Sequence, residues 1–169
     1  MLHIYTGDGK GKTTAALGQA LRACGHGWKV IMLQFMKGDI EYGEVKIAPE
    51  IPNFEIRQFG LPTFVERGNP GAEDLKLARE GFQFASEIVK SGKYDMVILD
   101  ELNVALDFGL IALADVNALL DMIPDNLMLI ITGRYAHPDI LARADLISEV
   151  KEIKHPYMKG ILAKEGIDY

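Results

Sequence analysis

The segment at positions 6–14, which reads Thr-Gly-Asp-Gly-Lys-Gly-Lys-Thr-Thr, has the residue types and spacing that bind a triphosphate. An apolar run, Leu2 to Tyr5, precedes it, and a helix-like stretch, Ala15 to Cys24, follows it. Three alternating glycines let backbone N–H groups point at phosphate oxygens, and the following helix presents its positive end to the same anion. The segment therefore predicts a phosphate-binding loop for a nucleoside triphosphate.

Two side chains of this loop have predicted roles of their own. We expect Lys12 to contact the outer phosphates and the Thr13 hydroxyl to ligate Mg²⁺. The usual pattern G-x-x-x-x-G-K-[ST] would have its first glycine at Thr6, whereas here it comes at Gly7, so the loop is a variant. A glycine-rich turn is the alternative, but it has no need of Lys12-Thr13 after Gly11. The predicted nucleotide contacts in the loop are Gly7, Asp8, Gly9, Lys10, Gly11, Lys12, Thr13 and Thr14.

Three carboxylates accompany the loop. The apolar run Met96 to Leu99 predicts a strand that ends in Asp100 and Glu101. In a phosphate-loop protein an acid approaches Mg²⁺ at this point, so Asp100 is a candidate metal ligand, and Glu101 completes the shell or orients a ligand. Both acids could instead cap the following helix. Asp8 would repel phosphates unless it faces Mg²⁺, the ribose or Lys10, and capping of the turn is its alternative.

Two arginines are candidate ligand contacts. Arg134 follows the strand predicted at Leu127 to Thr132, where it could hold a phosphate in a bidentate way or form a surface ion pair. Arg22 lies ten residues past Lys12, nearly three helical turns beyond the loop. It would reach the same nucleotide only if the ligand is bent or extended, and by itself the sequence leaves Arg22 a surface residue.

Composition narrows the class of protein. The chain has 169 residues, 49% of them hydrophobic, which suits one packed domain over residues 1–169. The net charge is −6 and the 18 Lys and Arg residues are scattered, which argues against a nucleic-acid partner. Cys24 is the single cysteine, so no internal disulfide is possible. Since there is no signal segment and no apolar run near the ~20 residues that span a bilayer, we expect a cytoplasmic protein without a membrane partner.

Apolar β-rich runs alternate with helix-like runs, which predicts an α/β fold with a mostly parallel central sheet flanked by helices. The predicted strands are Leu2 to Tyr5, Lys29 to Gln34, Phe54 to Phe59, Met96 to Leu99, Leu127 to Thr132 and Leu146 to Val150. The predicted helices are Thr13 to Cys24, Glu73 to Lys90, Val104 to Leu106 with its continuation, Leu113 to Met122, and Pro138 to Arg143. The segments Met36 to Asn53 and Gly60 to Ala72 are predicted to be irregular. Parallel sheets bind ligands at the carboxyl ends of their strands, which here are Thr6, Gln34, Gly60, Asp100 and Thr132.

Five motifs occur in the order found in the P-loop type of ATP:corrinoid adenosyltransferases, a family that the chain resembles from Ile4 to Gly166-Ile167. The motifs are Thr6 to Ala16, Gln34 to Gly38, Val97 to Leu102, Thr132 to Arg134, and Lys154 to Tyr157 with Gly160-Ile161. The resemblance implies a RecA-like P-loop fold and a homodimer. It also implies transfer of the 5′-deoxyadenosyl group of ATP to the cobalt(I) of a reduced corrinoid, with Mg²⁺ as cofactor and release of triphosphate. An electron donor such as a flavoprotein is a further expected partner.

The resemblance also assigns residue roles. It implies nucleotide contacts from Gly7 to Thr13, further contacts at Arg22, Glu101 and Arg134, and catalytic roles for Lys12, Thr13 and Glu101. Cobalt(I) is itself the nucleophile at C5′, so the protein need not supply a general base or a covalent side chain. Its task is to hold C5′ in line with cobalt and to neutralise the charge of the leaving triphosphate.

The chain departs from the family where the corrinoid should lie. After the third strand the family has a glycine-rich segment with Phe and Trp, whereas Gly60 to Arg67 keeps only Phe64. Phe64 is therefore either a corrinoid-facing aromatic or a loop anchor. Trp28, the single tryptophan, precedes the second strand and is expected in the core. The histidines lack the paired spacing of a metal site, and His155 is expected to have a structural role.

Two other functions use the same motifs. A small-molecule kinase or NTPase would transfer or release the terminal phosphate of ATP, and its product would be ADP. A nucleotide-binding module that has lost corrinoid specificity would bind ATP without turnover, because the segment from Gly60 to Arg67 has changed. The nature of the phosphate product therefore separates these three functions.

Overall fold

A central sheet of six parallel strands organises the computed structural model, which describes residues 1–39 and 41–169. The strands are β1 Leu2–Thr6, β2 Val30–Phe35, β3 Phe54–Phe59, β4 Met96–Asp100, β5 Met128–Thr132 and β6 Leu146–Glu149. They lie side by side in the order β3-β2-β4-β5-β1-β6. The predicted α/β fold is confirmed, and each strand begins and ends within one residue of its predicted bounds.

Helices connect the parallel strands. They are α1 Lys12–Gly25, α2 Gly43–Ile47, α3 Ala72–Ser91, α4 Leu102–Asp107, α5 Leu113–Leu120 and α6 Pro138–Leu141, with 3₁₀ turns at Ala48–Glu50 and Pro156–Lys159. The prediction that the chain from Met36 to Asn53 is irregular is wrong in part, because α2 and the first 3₁₀ turn lie within it. The five residues of α2 are too few to show a helical period in the sequence.

The central strands are buried on both faces of the sheet, which explains their continuous apolar sequence. Every residue of β2 and of β4 is buried. Along β2, Ile31 and Leu33 belong to a cluster with residues of α3, α4 and α5, whereas Val30 and Met32 belong to a second cluster with residues of α1. Each such side chain, fully buried, stabilises the fold by about 1.5–3 kcal/mol.

Small residues bring the two long helices close to the sheet. Helix α1 buries Ala16, Ala20 and Ala23 in the cluster on its side. Helix α3 places Gly81 over Phe59, where an added Cβ would lie 2.6 Å from the ring carbon Cγ. Both helices are therefore held at distances that larger side chains would not allow.

Trp28 and β6 are exposed parts of the molecule. The expectation that Trp28 lies in the core is wrong, because its side chain is 42% exposed. It lies in the connection between α1 and β2, where its backbone N–H donates to the carbonyl oxygen of Ala23 at 3.1 Å. All four residues of the edge strand β6 are exposed.

In the part of the chain that the structure describes, no helix combines the length and the apolar character needed to cross a bilayer.

The strand order brings the predicted functional residues together. β5 lies between β1 and β4, so the loop after β1 and the acidic end of β4 are separated by one strand. The register pairs Tyr5 with Thr132 and Gln34 with Asp100, which places the carboxyl ends of four adjacent strands at one level. The candidate site lies at this edge of the sheet, as expected for parallel strands.

Candidate nucleotide site

The glycine-rich loop after β1 adopts a backbone that only glycine permits at two positions. Gly7 has a φ of 99° and Gly11 a φ of 122°, both in the left-handed region. A Cβ on Gly7 would lie 2.4 Å from the carbonyl oxygen of Val150. The same oxygen accepts a hydrogen bond from the N–H of Gly9 at 2.8 Å. The segment after β6 therefore holds the loop in its tight conformation.

Lys12 is the first residue of α1 and crosses back over the loop. Its Nζ donates to the carbonyl oxygen of Gly9 at 2.7 Å, and its side chain is buried. Burial lowers the pKa of Lys12, whereas the Glu101 carboxylate acts to raise it. No side chain in residues 1–39 or 41–169 caps the start of α1, so its first N–H groups are available to an anion.

Asp100 is the central acid of the site and is fully buried. Its Oδ1 accepts hydrogen bonds from Thr13 Oγ1 at 2.9 Å and from Thr132 Oγ1 at 2.7 Å. Its Oδ2 lies 2.8 Å from the Nζ of Lys37 and 3.4 Å from the Nε2 of Gln34. Asp100 thus joins the phosphate loop to the two strands that neighbour β4, namely β2 and β5, and helix capping does not describe its contacts.

Glu101 occupies a strained position beside Asp100. Its φ is 61°, in the left-handed region, and its N–H donates to Thr132 Oγ1 at 3.0 Å. For a non-glycine residue this conformation costs of order 1–3 kcal/mol and is typical of functional sites. Burial, and then the nearby Asp100 charge, raise the pKa of Glu101, and the cation of Lys37 opposes the rise. Glu101 is at the N-cap of α4 but makes no capping hydrogen bond with its side chain.

Arg134 reaches the site from the turn after β5. Gly133, with a φ of 125°, packs against α4, where Asn103 Nδ2 donates to its carbonyl oxygen at 3.3 Å. This turn leaves the Arg134 side chain exposed, on the lining of the same cavity as Lys12. The cavity lining therefore carries the positive charges of both Lys12 and Arg134.

The cavity in front of the loop has a volume of about 780 Å³, within the range typical of ligand sites. It is lined by residues Gly9, Lys10, Gly11, Lys12, Thr13, Thr14, Leu17, Lys37, Tyr42, Gly43, Glu44, Phe64, Glu101, Arg134, His155, Gly166, Ile167, Asp168 and Tyr169. Most of the predicted site residues are thus brought together. Phe64 is fully exposed at this cavity.

The carboxyl-terminal residues 166–169 form one wall of the cavity, which sequence reasoning missed. Lys10 Nζ donates to the carbonyl oxygen of Ile167 at 2.8 Å and forms an ion pair with Asp168. The ring of Tyr169 packs edge-on against Tyr42, with the ring centroids 6.4 Å apart. The one sequence signal for this wall was that the resemblance extends as far as Gly166-Ile167.

Other site residues are placed differently from the loop core. Gly7 and Asp8 belong to the loop but are not on the cavity lining, and Arg22 is exposed near the end of α1, where its Nη1 donates to Gln19 Oε1 at 3.4 Å. Their contacts with a nucleotide stay predictions. His155 lines the cavity, and its Nδ1 accepts from the N–H of Tyr157 at 3.2 Å, a structural contact of the expected kind. Lys37, Tyr42 and Glu44 are lining residues for which the sequence alone gave no role.

The oxygen atoms at the site fit a magnesium ion. Thr13, Asp100 and Glu101 offer hydroxyl and carboxylate oxygens, the hard ligands that Mg²⁺ prefers. Within residues 1–39 and 41–169, no cluster of three or more His, Cys, Asp or Glu side chains could hold a metal by itself. A donor set of this kind suits an ion that arrives with substrate phosphates rather than one caged by protein.

The sheet is parallel, a glycine-rich loop follows β1, and Asp100 ends β4, which is separated from β1 by one strand. These features define a P-loop nucleotide-binding protein of the RecA-like α/β type. Sequence comparison narrows the class, since the profile of the ATP:corrinoid adenosyltransferase BtuR/CobO/CobP family matches residues 1–169. The chain belongs to this family of transferases.

Relatives from several bacteria are similar to the chain over nearly its full length. The corrinoid adenosyltransferase of Escherichia coli K12 is 39% identical over 98% of this chain and 84% of that protein. The corrinoid adenosyltransferase CobA of Salmonella typhimurium is 38% identical over the same shares. That of Pseudomonas aeruginosa is 32% identical over 100% of this chain and 83% of its own length. These matches confirm the resemblance seen in the five motifs.

Proposed function

We propose that the chain transfers the 5′-deoxyadenosyl group of ATP to the cobalt(I) of a reduced corrinoid and releases triphosphate. The observation that carries the proposal is the cavity of about 780 Å³ that opens directly onto the phosphate loop, in a chain matched by the family profile from end to end. The volume suits a ligand of the size of a nucleotide.

The side chains around the loop would stabilise the leaving triphosphate. The N–H groups at the start of α1 have no side-chain cap, the Lys12 ammonium is held by the carbonyl oxygen of Gly9, and Arg134 lines the same cavity. Fixed donors and charges favour a transition state in which negative charge grows on the leaving group. Mg²⁺, with Thr13 and Asp100 as its protein ligands, would supply further charge neutralisation when bound with ATP.

The carbon–cobalt bond forms without help from a protein nucleophile. Cobalt(I) supplies the electron pair that attacks C5′, and the C5′–O bond breaks with its electron pair passing to the triphosphate. The protein therefore contributes mainly by alignment, which requires a rigid nucleotide site. Glu101, whose N–H is held by Thr132 while its φ is left-handed, would orient the bound nucleotide.

Phe64 is the residue that we assign to the corrinoid side of the cavity. Its ring is fully exposed, and it lines the same cavity as the phosphate-loop residues. An aromatic ring fully in water at a site gains hydrophobic stabilisation when a large planar ligand covers it.

We also propose that the enzyme acts as a cytoplasmic homodimer and receives electrons for cobalt from a donor such as a flavoprotein.

An anaerobic assay tests this function. Mg-ATP and chemically reduced corrinoid are mixed with the enzyme, the cobalt–carbon bond is followed in the visible spectrum, and the phosphate product is identified. We expect adenosylcorrinoid and triphosphate in equal amounts. ADP would instead indicate a kinase or NTPase, and ATP binding without product a nucleotide-binding module.

A pair of variants tests the assignment of Phe64. We expect F64A to raise the KM for corrinoid at least several-fold while the Kd for ATP is unchanged, because the fully exposed ring does not support the packing of the phosphate loop. F64W, which keeps an aromatic surface, should retain near-normal activity. Equal effects of F64A on both substrates would mean that Phe64 only anchors its loop.

A further inference from the structure

Lys37 makes a contact in the site that neither the phosphate-loop pattern nor the proposed reaction requires. It follows β2, and its Nζ lies 2.8 Å from Asp100 Oδ2. The Asp100 side chain is 0% exposed and that of Lys37 is 17% exposed, so the pair is shielded from water. Lys37 also lines the cavity, next to the acid that is the candidate metal ligand.

The other contacts of Asp100 are with neutral groups. Thr13 and Thr132 donate hydroxyl hydrogen bonds to Oδ1, and Gln34 is near Oδ2. In the described residues, Lys37 is the cation within hydrogen-bond distance of this carboxylate. A buried carboxylate without a counter-charge is strongly destabilising, so Lys37 stabilises the ligand-free site.

The backbone around Lys37 is fixed, whereas its side chain can move. Met36 has a φ of 59°, and its N–H donates to the carbonyl oxygen of Phe59 at 3.1 Å. Gly38 packs so closely on the next loop that a Cβ would lie 2.1 Å from the carbonyl oxygen of Gly60. The four-carbon stem of lysine nevertheless lets the ammonium exchange one oxygen partner for another without backbone movement.

A divalent cation and the Lys37 ammonium cannot share Asp100 without repulsion. The ammonium already occupies Oδ2, and Lys37, unlike Asp100, is itself on the cavity lining. A nucleotide changes this balance, because its triphosphate offers the ammonium several new anionic oxygens in the same cavity. The Lys37 ammonium also makes a cation–π contact with Tyr42, 5.6 Å from the ring centroid. Tyr42 carries no positive charge, so it cannot take the place of the ammonium at Asp100 when Lys37 moves away.

We propose that Lys37 is a built-in counter-ion of Asp100 that a divalent cation displaces only together with nucleotide, so that the metal enters the site with ATP and not before it. Lys37 moves from the carboxylate to the triphosphate as the metal binds. It is a positioning residue for the metal and the phosphates, and the inference rests on the use of Mg-ATP in the proposed function.

Titration with Mn²⁺ alone, read from the electron paramagnetic resonance signal of the free ion, tests the inference. The proteins compared are the unchanged chain, K37M, which removes the charge at similar length, and K37R, which keeps it. Without nucleotide, we expect K37M to bind Mn²⁺ at least about tenfold more tightly than the unchanged chain, because the competing charge is gone. K37R should bind Mn²⁺ no more tightly than the unchanged chain.

Thermal unfolding gives a readout that a purely structural lysine would not produce. We expect K37M to have a lower Tm than the unchanged chain, and added Mn²⁺ to restore the Tm of K37M while barely changing that of the unchanged chain. If K37M and K37R both lose stability and Mn²⁺ rescues neither, Lys37 is only a structural ion-pair partner and the inference is overturned.

A titration with ATP present separates this inference from the proposed function. If the unchanged chain binds Mn²⁺ with ATP, and K37M without ATP is no tighter than the unchanged chain, the counter-ion role alone is overturned. If the unchanged chain does not bind Mn²⁺ even with ATP, then the use of Mg-ATP in the proposed function fails, and the counter-ion role fails with it.

Discussion

Replacing Thr132 by Val tests whether the end of β5 holds the two acids in place. Thr132 Oγ1 donates to Asp100 Oδ1 at 2.7 Å and accepts from the N–H of Glu101 at 3.0 Å. Valine has nearly the same shape, so the change removes the hydroxyl without opening a cavity. T132V therefore isolates the two hydrogen bonds from the packing of the strand.

The magnitude follows from these two contacts. A hydrogen bond to a charged group contributes about 1.5–3 kcal/mol, and one between neutral groups about 0.5–1.5 kcal/mol. Losing both should lower the free energy of unfolding by about 2–4.5 kcal/mol. In a protein of 150–250 residues, this corresponds to a drop in Tm of roughly 4–18 °C. Activity should fall at least about tenfold, because the strained Glu101 loses the contact that holds it.

Calorimetry of the ligand-free protein and the anaerobic adenosylation assay check these values. T132S is the matched control, because it keeps the hydroxyl and removes only a methyl group. We expect T132S to retain most of the stability and activity that T132V loses. A T132V protein within about 0.5 kcal/mol of the unchanged chain, with normal activity, would refute the role given to Thr132.

Three further perturbations give distinct expected outcomes. G7A should destabilise the protein and abolish ATP binding in calorimetric titration, because the added Cβ would lie 2.4 Å from a backbone oxygen. G18A is the control, since a Cβ on this helix residue meets no other atom, and it should be neutral or stabilising by up to ~1 kcal/mol. The raised pKa of Glu101 means that the folded protein binds more protons than the unfolded chain between the two pKa values. The free energy of unfolding should therefore fall as the pH rises through that window. For E101Q, which cannot titrate at this position, Tm measured across the same pH range should not show this fall, and its activity should be reduced. D168N should raise the KM for ATP several-fold with little change in kcat, because Lys10 loses its ion pair with the cavity wall. An unchanged KM would show that this ion pair does not affect nucleotide binding.

Features set by local sequence were predictable in this protein. The six strands follow from runs of apolar residues bounded by polar ones, and the phosphate loop is contiguous from Thr6 to Thr14. The pairing of the loop with Asp100 was also accessible, because parallel strands bring their carboxyl ends together. The contact from Thr13 Oγ1 to Asp100 is the structural result of that rule.

Features set by contacts between distant parts of the chain were not predictable. The ion pair of Lys10 with Asp168 joins residues 158 positions apart, and no sequence period encodes it. The position of Lys37 on Asp100 depends on the order of the strands, in which β2 and β4 are neighbours. Trp28 shows the converse, because its residue type favours burial while its place in a surface connection prevents it.

The cavity wall formed by residues 166–169 has a consequence for handling the enzyme. The segment that leads to it, residues 156–165, is exposed throughout and contains Lys159 and Lys164. Such a segment is a preferred site of proteolysis. Cleavage after either lysine would detach the wall from the chain while leaving every strand of the sheet intact. The cleaved protein would then have the circular dichroism spectrum of the folded protein and nearly the same mobility on a low-resolution gel. It would nevertheless bind nucleotide poorly. Intact-mass spectrometry before each assay distinguishes this damage from a true loss of function. Protection of the segment from trypsin by ATP would show that the wall contacts the bound nucleotide.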